Sequence, residues 1–337
     1  MRAKPGITDV ASAAGVSIST VSVALNDVAG ARVNAETRQR IRDVAERLGY
    51  LPNGLARGLR RQRSGIVGFL GDQVATTPYA VDMILGAQVT LREAGNLMIL
   101  MNTEGDRAVE EQEIATLRQQ QVDGILYAAM YHRELRLPAS LRGVPTVVLD
   151  AEVDDPAVSW VVPDEVAGAR DAVRELLDHG HRRIGFVTNE EGIPATRLRL
   201  RGYRAALRGA GLRPDPGLVI ATAPTTEGGY RATRALLDRA DRPTALFCFR
   251  DLMAMGAYQA AAELGLRVPD DVSIVGYDDM RHIADGLFPG LTTVALPHYE
   301  MGAWAARRLL DTTTAPEQRR LRGRLIKRGS VATVPAR

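Results

Sequence analysis

The stretch Ile7-Thr8-Asp9-Val10-Ala11-Ser12-Ala13-Ala14-Gly15-Val16-Ser17-Ile18-Ser19-Thr20-Val21-Ser22-Val23-Ala24-Leu25-Asn26 carries the reading of this chain. Thr8-Asp9 can cap a short helix through Val10, Ala11 and Ala14, and Gly15 is free to take the positive φ of a sharp turn. Ser17 can cap a second helix from Ile18 to Leu25, which Asn26 can close in the left-handed conformation. Small Ala11 lets two helices approach, Gly15 turns the chain and Val21 plugs the gap between them. These are the demands of a helix-turn-helix. Asn34 then caps a third helix whose Ile41, Val44, Ala45 and Leu48 recur at helical spacing, and Gly49 ends it. A hairpin used only for packing would not need the small polar groups Ser17, Ser19, Thr20 and Ser22 on its second helix.

Charge points the same way. Residues 1–63 hold 11 Lys plus Arg and 5 Asp plus Glu, a balance of +6, which leaves the rest at −3 against a total of +3. A basic end on a mildly acidic body suits a polyanion partner at that end. An arginine-rich coding bias would also give basic stretches, since Lys4 and Lys327 are the only lysines. After Tyr50-Leu51-Pro52-Asn53, the segment Gly54 to Arg61 has helical character but two glycines, each costing about 1 kcal/mol relative to alanine. It can order when DNA supplies contacts, with Arg57, Arg60 and Arg61 on phosphates and Leu59 as a wedge between base steps. A plain flexible linker is the alternative.

The chain has 337 residues, 45% of them hydrophobic and 25% charged, the balance of a globular protein of two or three domains. Its apolar runs, such as Ile66 to Leu70, fall well short of a bilayer span, and Met1 to Gly6 lacks the pattern of a signal peptide. A cytoplasmic location is therefore predicted. The single Cys248 can form no internal disulfide, and its setting in Ala245-Leu246-Phe247-Cys248-Phe249 predicts a buried strand residue.

From Ser64 onward, strand-like runs alternate with helical patterns, which predicts parallel sheets wrapped by helices. The predicted strands are Ile66 to Leu70, Leu97 to Met101, Gly124 to Ala128, Val144 to Leu149, Arg183 to Thr188, Thr244 to Phe249 and Val272 to Val275. The predicted helices are Tyr79 to Ala94, Glu165 to Asp178, Leu198 to Ala210, Tyr230 to Asp238, Met253 to Leu264 and Glu300 to Leu310. Such sheets bind ligands beyond the carboxyl ends of their strands, where Asp150, Arg250-Asp251 and Asp278-Asp279 fall. Asp251 and Asp279 can equally be helix caps. The glycine loops of dinucleotide and triphosphate sites are missing, as is the Gly-x-Ser-x-Gly elbow, and His179-Gly180-His181 falls at a helix end, where capping is the simpler role. No cofactor and no metal is expected. An α/β enzyme with an accessory DNA-binding end would need a nucleophile, metal set or phosphate loop. A transporter's solute-binding protein would need an export signal and no headpiece.

Ile7-Thr8-Asp9-Val10-Ala11, Ala14-Gly15-Val16-Ser17, Thr20-Val21-Ser22, Leu25-Asn26, Thr37-Arg38, Gly49-Tyr50-Leu51-Pro52-Asn53 and Ala56-Arg57-Gly58-Leu59 resemble the headpiece and hinge of the lactose/galactose repressor (LacI/GalR) family. The resemblance continues through Gly180-His181-Arg182-Arg183-Ile184, Arg201-Gly202-Tyr203, Gly265 to Ser273 and Val275-Gly276-Tyr277-Asp278-Asp279, and so covers nearly the whole chain. It implies an α/β fold: an N-terminal helix-turn-helix headpiece and a periplasmic-binding-protein-like core of two parallel-sheet subdomains. The implied domains are a headpiece at 1–63 with its hinge at about 52–61, a first subdomain of 64–162 with 293–321, and a second of 163–292 with 322–337. Three crossings are thus expected, near Val162, Thr292 and Leu321.

The function implied is that of a regulator, not an enzyme: a homodimer that grips a pseudo-palindromic operator in double-stranded DNA and responds to a small-molecule effector held between the subdomains. By resemblance, base contacts fall to Ile18, Ser19 and Val23, the wedge to Leu59, and phosphate contacts to Ser17, Thr20, Ser22 and Asn26, with Asn53, Ala56, Arg57 and Arg60 in the hinge. Many members carry Arg or His at the position of Val23, which can touch only apolar surface such as a thymine methyl. The effector positions carry over as Tyr79, Asp150, Arg199, Arg250 and Asp278. Sugar-responsive relatives commonly have asparagine at the position of Arg250. Its guanidinium either selects an anionic ligand or folds back on Asp278 or Asp251 and narrows the pocket. Pro224 stands where an aromatic often stacks on the sugar. The tail from Leu321 shows no leucine heptads, so a dimer is the conservative expectation.

Overall fold

The structure is a computed structural model that describes residues 5–25, 33–50, 63–77, 80–311 and 313–334. The chain divides into two compact units, Met1–Ser64 and Gly65–Arg337.

In the first unit, α1 (Ile7–Ala14), α2 (Ile18–Leu25) and α3 (Ala35–Leu48) enclose a small core of Val10, Ala11, Ala14, Val21, Ala24, Ile41, Val44 and Ala45. Helix α1 starts one residue before Thr8, so Asp9 is not its cap but sits in its first turn and accepts from Gly6 N at 2.7 Å. Gly15 takes φ +64°, and α1 and α2 are bent apart by 102°, within the range of a helix-turn-helix. Ser17 Oγ accepts from Thr20 N at 3.1 Å and Asn34 Oδ1 from Thr37 N at 2.7 Å, the caps that the sequence predicts.

The second unit contains two six-stranded sheets. The first is built from β1 (Ile66–Gly71), β2 (Leu97–Asn102), β3 (Gly124–Leu135), β4 (Thr146–Val153), β5 (Ser159–Pro163) and β11 (Gln318–Leu321), in the order β11-β5-β4-β3-β1-β2. The second orders β12 (Arg324–Ile326), β10 (Thr292–Ala295), β9 (Ser273–Asp278), β8 (Ala245–Cys248), β6 (Ile184–Asn189) and β7 (Val219–Thr222). All pairs are parallel except β10 with β12.

Side chains alternate between the faces of the first sheet, as a two-residue period requires. Val147, Leu149 and Val161 join one cluster with Met83 and Leu91 of α4 (Val81–Glu93) and Met301 and Trp304 of α11 (His298–Leu310), while Val148, Trp160 and Val162 join another on the opposite face. Helices α4 and α11 touch through glycine: a Cβ on Gly302 would stand 2.0 Å from Met83 O, and one on Gly86 2.1 Å from Tyr299 O. Helix α5 (Arg107–Gln119) covers the other face near β1 and β3 with Ile114 and Leu117. In the second sheet, α6 (Glu165–Asp178), α7 (Pro194–Gly209), α8 (Thr226–Leu237) and α9 (Asp251–Glu263) supply the largest cluster, and the short α10 (Arg281–Ala284) follows β9.

The chain leaves the first sheet after Pro163, returns after Ala295 and leaves again after Leu321. Near Thr292, the β-branched run Thr292-Thr293-Val294 carries the strand to Ala295, where Leu296-Pro297 stops it. Five strands, β5, β7, β10, β11 and β12, the helix α5 and the four-residue α10 were not predicted individually. The strands have three to five residues, too few to show a period, and α5 buries only Ile114 and Leu117. Strand β3 runs seven residues past Ala128, with a shift of register between Ala128 and Arg133.

Candidate functional site

Two surfaces gather the residues that the sequence singles out. On α2, Val21 and Ala24 are buried, whereas Ser17, Ile18 and Ser19 are exposed and Thr20, Ser22 and Val23 half-buried. Ile18 is 48% exposed, a large apolar side chain at the N-terminal end of the helix. The hydroxyls of Ser19 and Thr20 lie 2.7 and 2.8 Å from Ser17 Oγ, a compact polar cluster. Asn26, Asn53, Ala56, Arg57, Leu59, Arg60 and the rest of the expected hinge lie outside the described residues, as does Tyr79.

The second site lies at the carboxyl ends of both sheets, where a cavity of about 220 Å³ is lined by Asp150, Arg199, Arg250 and Asp278 together with Glu165, His132 and Asn189. Asp150 lies on β4 at φ +57° and Asp278 ends β9 at φ +108°, left-handed-side conformations that cost a non-glycine residue energy and that occur at ligand sites. Arg199 projects from α7 and is 4% exposed. Its Nε and Nη2 donate to the two carboxylate oxygens of Glu165 at 2.7 and 3.2 Å, and its Nη1 donates to Phe249 O at 2.5 Å. The guanidinium also lies over the rings of Tyr277 and Phe249, at 3.7 and 4.4 Å from their centroids. Forked pairing of this kind is what makes a buried arginine tolerable.

Asp278 is shared between guanidinium groups: Arg199 Nη1 is 3.6 Å from Oδ1 and Arg250 Nε 3.5 Å from Oδ2. Burial pushes its carboxyl up to about 6, with Arg199 and Arg250 pulling the other way. Burial, reinforced by Glu165, also pushes Asp150 well above the usual carboxylate range. Asp150 Oδ1 is buried and has no hydrogen-bond partner among the described residues, and its Oδ2 lies 3.9 Å from His298 Nε2. Pro224 lines the cavity as well.

Asp251 and Asp279 do not line the cavity. Asp251 accepts from Met280 N and Thr293 Oγ1, both at 2.7 Å, and so ties α9 to the end of β9 and to β10. Asp279 accepts from Arg328 Nη2 at 2.9 Å. His181 bridges Thr244 Oγ1 and Ala332 O, and His179 Nδ1 bonds Glu175 O at the end of α6, so both are structural. Cys248 is a fully buried residue of β8 whose thiol burial pushes up. Sequence reasoning missed Glu165, His132 and Asn189. None of the three carries a sequence pattern that points to a site: an acid in a first helical turn, as at Glu165, already suits the helix dipole.

A basic helix-turn-helix unit and a two-sheet unit with a polar cavity between its sheets define a ligand-responsive DNA-binding regulator. The model for bacterial regulatory proteins of the lacI family matches residues 6–53, and that for a periplasmic binding protein-like domain matches residues 173–331. The chain is similar to the ribose operon repressor of Escherichia coli (strain K12), 35% identical over 96% of this chain and 98% of the relative. It is similar in structure to a transcriptional regulator CelR in complex with cellobiose, at 34% identity, TM-score 0.68 and coverage of 97% and 99% of the two chains. It is also similar to a lac repressor dimer bound to operator and an anti-inducer, at 25% identity, TM-score 0.79 and the same coverage. The chain belongs to the LacI family and is a DNA-binding transcriptional regulator.

Proposed function

We propose that this regulator is a cytoplasmic homodimeric repressor whose hold on a pseudo-palindromic operator is set by a neutral, monosaccharide-sized effector in the cavity between the sheets. The observation that carries the effector reading is Asp150 Oδ1: a buried carboxylate oxygen without a partner among the described residues, in a cavity walled by further charged and polar groups. Such an atom asks for a hydroxyl donor. A cavity of about 220 Å³ favours one sugar ring over two. Arg199 already has Glu165 and the Phe249 carbonyl, and Arg250 lies against Asp278. Both guanidinium groups therefore face carboxylates, which supports the folded-back role of Arg250 and disfavours an anionic ligand.

The relatives' names and the dimer on operator support the repressor and dimer readings. Ser17, Ile18, Ser19, Thr20, Ser22 and Val23 would then meet the major groove, with Ile18 and Val23 on apolar base edges. Effector and operator binding are coupled reciprocally, so each changes the other's affinity by the same factor. We infer binding without turnover.

The test is calorimetric titration of the purified chain with D-ribose, D-glucose, D-galactose, their phosphates and cellobiose, paired with operator-fragment binding at fixed salt. The reading requires a neutral monosaccharide to bind unchanged and to shift DNA affinity. Exclusive binding of a phosphate ester, or consumption of the sugar, would overturn it.

A further inference from the structure

Past the register shift after Ala128, β3 rejoins β4 with Arg133 beside Ala151 and Glu134 beside Glu152. This irregular stretch brings His132 to the cavity wall, with its side chain 1% exposed. Its Nε2 lies 3.1 Å from Glu152 Oε1. Both oxygens of that carboxylate also accept from Arg320 Nη2, at 2.9 Å each, and the Arg320 guanidinium lies over the ring of Trp160. Glu152 and Arg320 are therefore fixed together, outside the cavity lining, on the side where a broad groove opens.

We propose that His132 is an effector-binding residue, held by Glu152 and Arg320 in the one neutral tautomer that offers the ligand a hydrogen-bond acceptor. A carboxylate paired with arginine accepts and does not donate, so the imidazole proton belongs on Nε2. Nδ1 is then a lone-pair acceptor, and it is buried without a hydrogen-bond partner among the described residues. The groups that face the ring are Glu152 and Glu165, which favour its charged form, and Arg199, which opposes it. Burial outweighs them and lowers the imidazole's proton affinity. The cavity lining thus includes two residues, His132 and Asp150, each with a buried polar atom that has no hydrogen-bond partner among the described residues. The matching ligand presents two O–H or N–H donors, as adjacent ring hydroxyls do, and an ether, methyl or phosphate in their place finds no complement. The ligand half of this assignment rests on the sugar reading above, whereas the tautomer half does not.

The experiment uses the full chain with isotope-labelled histidine, of which there are five in the sequence, and identifies the His132 signals by their loss in His132→Gln. From about pH 6 to about pH 8, a protonated Nε2 and an unprotonated Nδ1 are expected. The opposite tautomer or an imidazolium overturns the assignment whether or not any sugar binds. Where D-ribose, D-glucose or D-galactose binds the wild type, Nδ1 shifts on saturation. His132→Ala weakens that sugar about tenfold, while His132→Gln, which keeps an acceptor, stays within a few-fold. A bound sugar that leaves Nδ1 unmoved and binds His132→Ala as tightly as wild type overturns the role. If no monosaccharide binds and the Nε2–H tautomer is found, the acceptor stands and the sugar reading falls.

Discussion

Glu165, the first residue after the first crossing to open a helix, receives two nitrogens of the Arg199 guanidinium, and both side chains are at least 95% buried. The pair joins α6 to α7 in the cavity wall. Removing one member leaves the other charge buried without its partner, so Glu165→Ala is expected to cost about 3–5 kcal/mol in urea denaturation. A loss below about 1 kcal/mol would mean that water or a neighbour replaces the carboxylate freely.

Asp278 makes stability depend on pH in a defined direction. Its carboxyl is raised in the folded chain from an ordinary 3.8 to about 6, so the native state holds the proton more tightly than the unfolded one. The associated stability is fully present below the unfolded value and is lost as pH rises to about 6. Measured against Asp278→Asn, wild-type stability should fall by on the order of 3 kcal/mol between about pH 4 and about pH 6 and then level off. A difference that is flat or rises across that interval would refute the buried setting of Asp278.

Effector binding inherits the opposite slope. Hydroxyls that donate to Asp278 stabilise its carboxylate, so binding releases protons and tightens as pH rises through about 6, and donation to Asp150, whose carboxyl burial also raises, acts in the same direction. Calorimetry in buffers of different ionisation enthalpy reads the proton count. Net proton uptake would contradict the donor-to-carboxylate arrangement.

The parts of this molecule that local pattern controls were legible before the structure. Helix α6 spans the predicted Glu165 to Asp178, and Ser17, Asn34, Gly15 and Gly49 cap or turn where their chemistry demands. What escaped was set by distant partners. Arg199 reads as a ligand fork, yet Glu165, 34 positions away, occupies two of its donors. An acid in a first helical turn suits the helix dipole whether or not an arginine waits across the fold, and so gives no warning. His132 sits in a strand extension created by a register shift, and a lone histidine carries no spacing to read. The short edge strands β11 and β12 owe their existence to the sheets they complete, since Gln318-Arg319-Arg320-Leu321 has no strand pattern of its own.

The contact between α4 and α11 gives a packing prediction. Alanine at Gly302 would place a methyl 2.0 Å from Met83 O, and backbone cannot swing aside as a side-chain tip can. Gly302→Ala should therefore cost at least about 1–3 kcal/mol. The control is Gly209→Ala at the end of α7, where a Cβ meets nothing within 4 Å and helix propensity favours alanine. Equal stabilities for the two variants would show that α4 and α11 separate at little cost.

Val23 is half-buried on the helix proposed to read the major groove, one turn beyond Ser19, and exposed Ile18 begins that helix. An aliphatic side chain cannot take the paired acceptors of guanine, but it gains from contact with a thymine methyl. A base-by-base scan of the operator half-site should therefore find one position where thymine is favoured over uracil, which differs from it only by that methyl. Val23→Arg should transfer the preference at that position to guanine, by about 1–3 kcal/mol of discrimination, and steepen the salt dependence if the new cation also meets a phosphate. Thymine and uracil binding alike at every position, together with no gain for guanine in Val23→Arg, would place Val23 away from the bases.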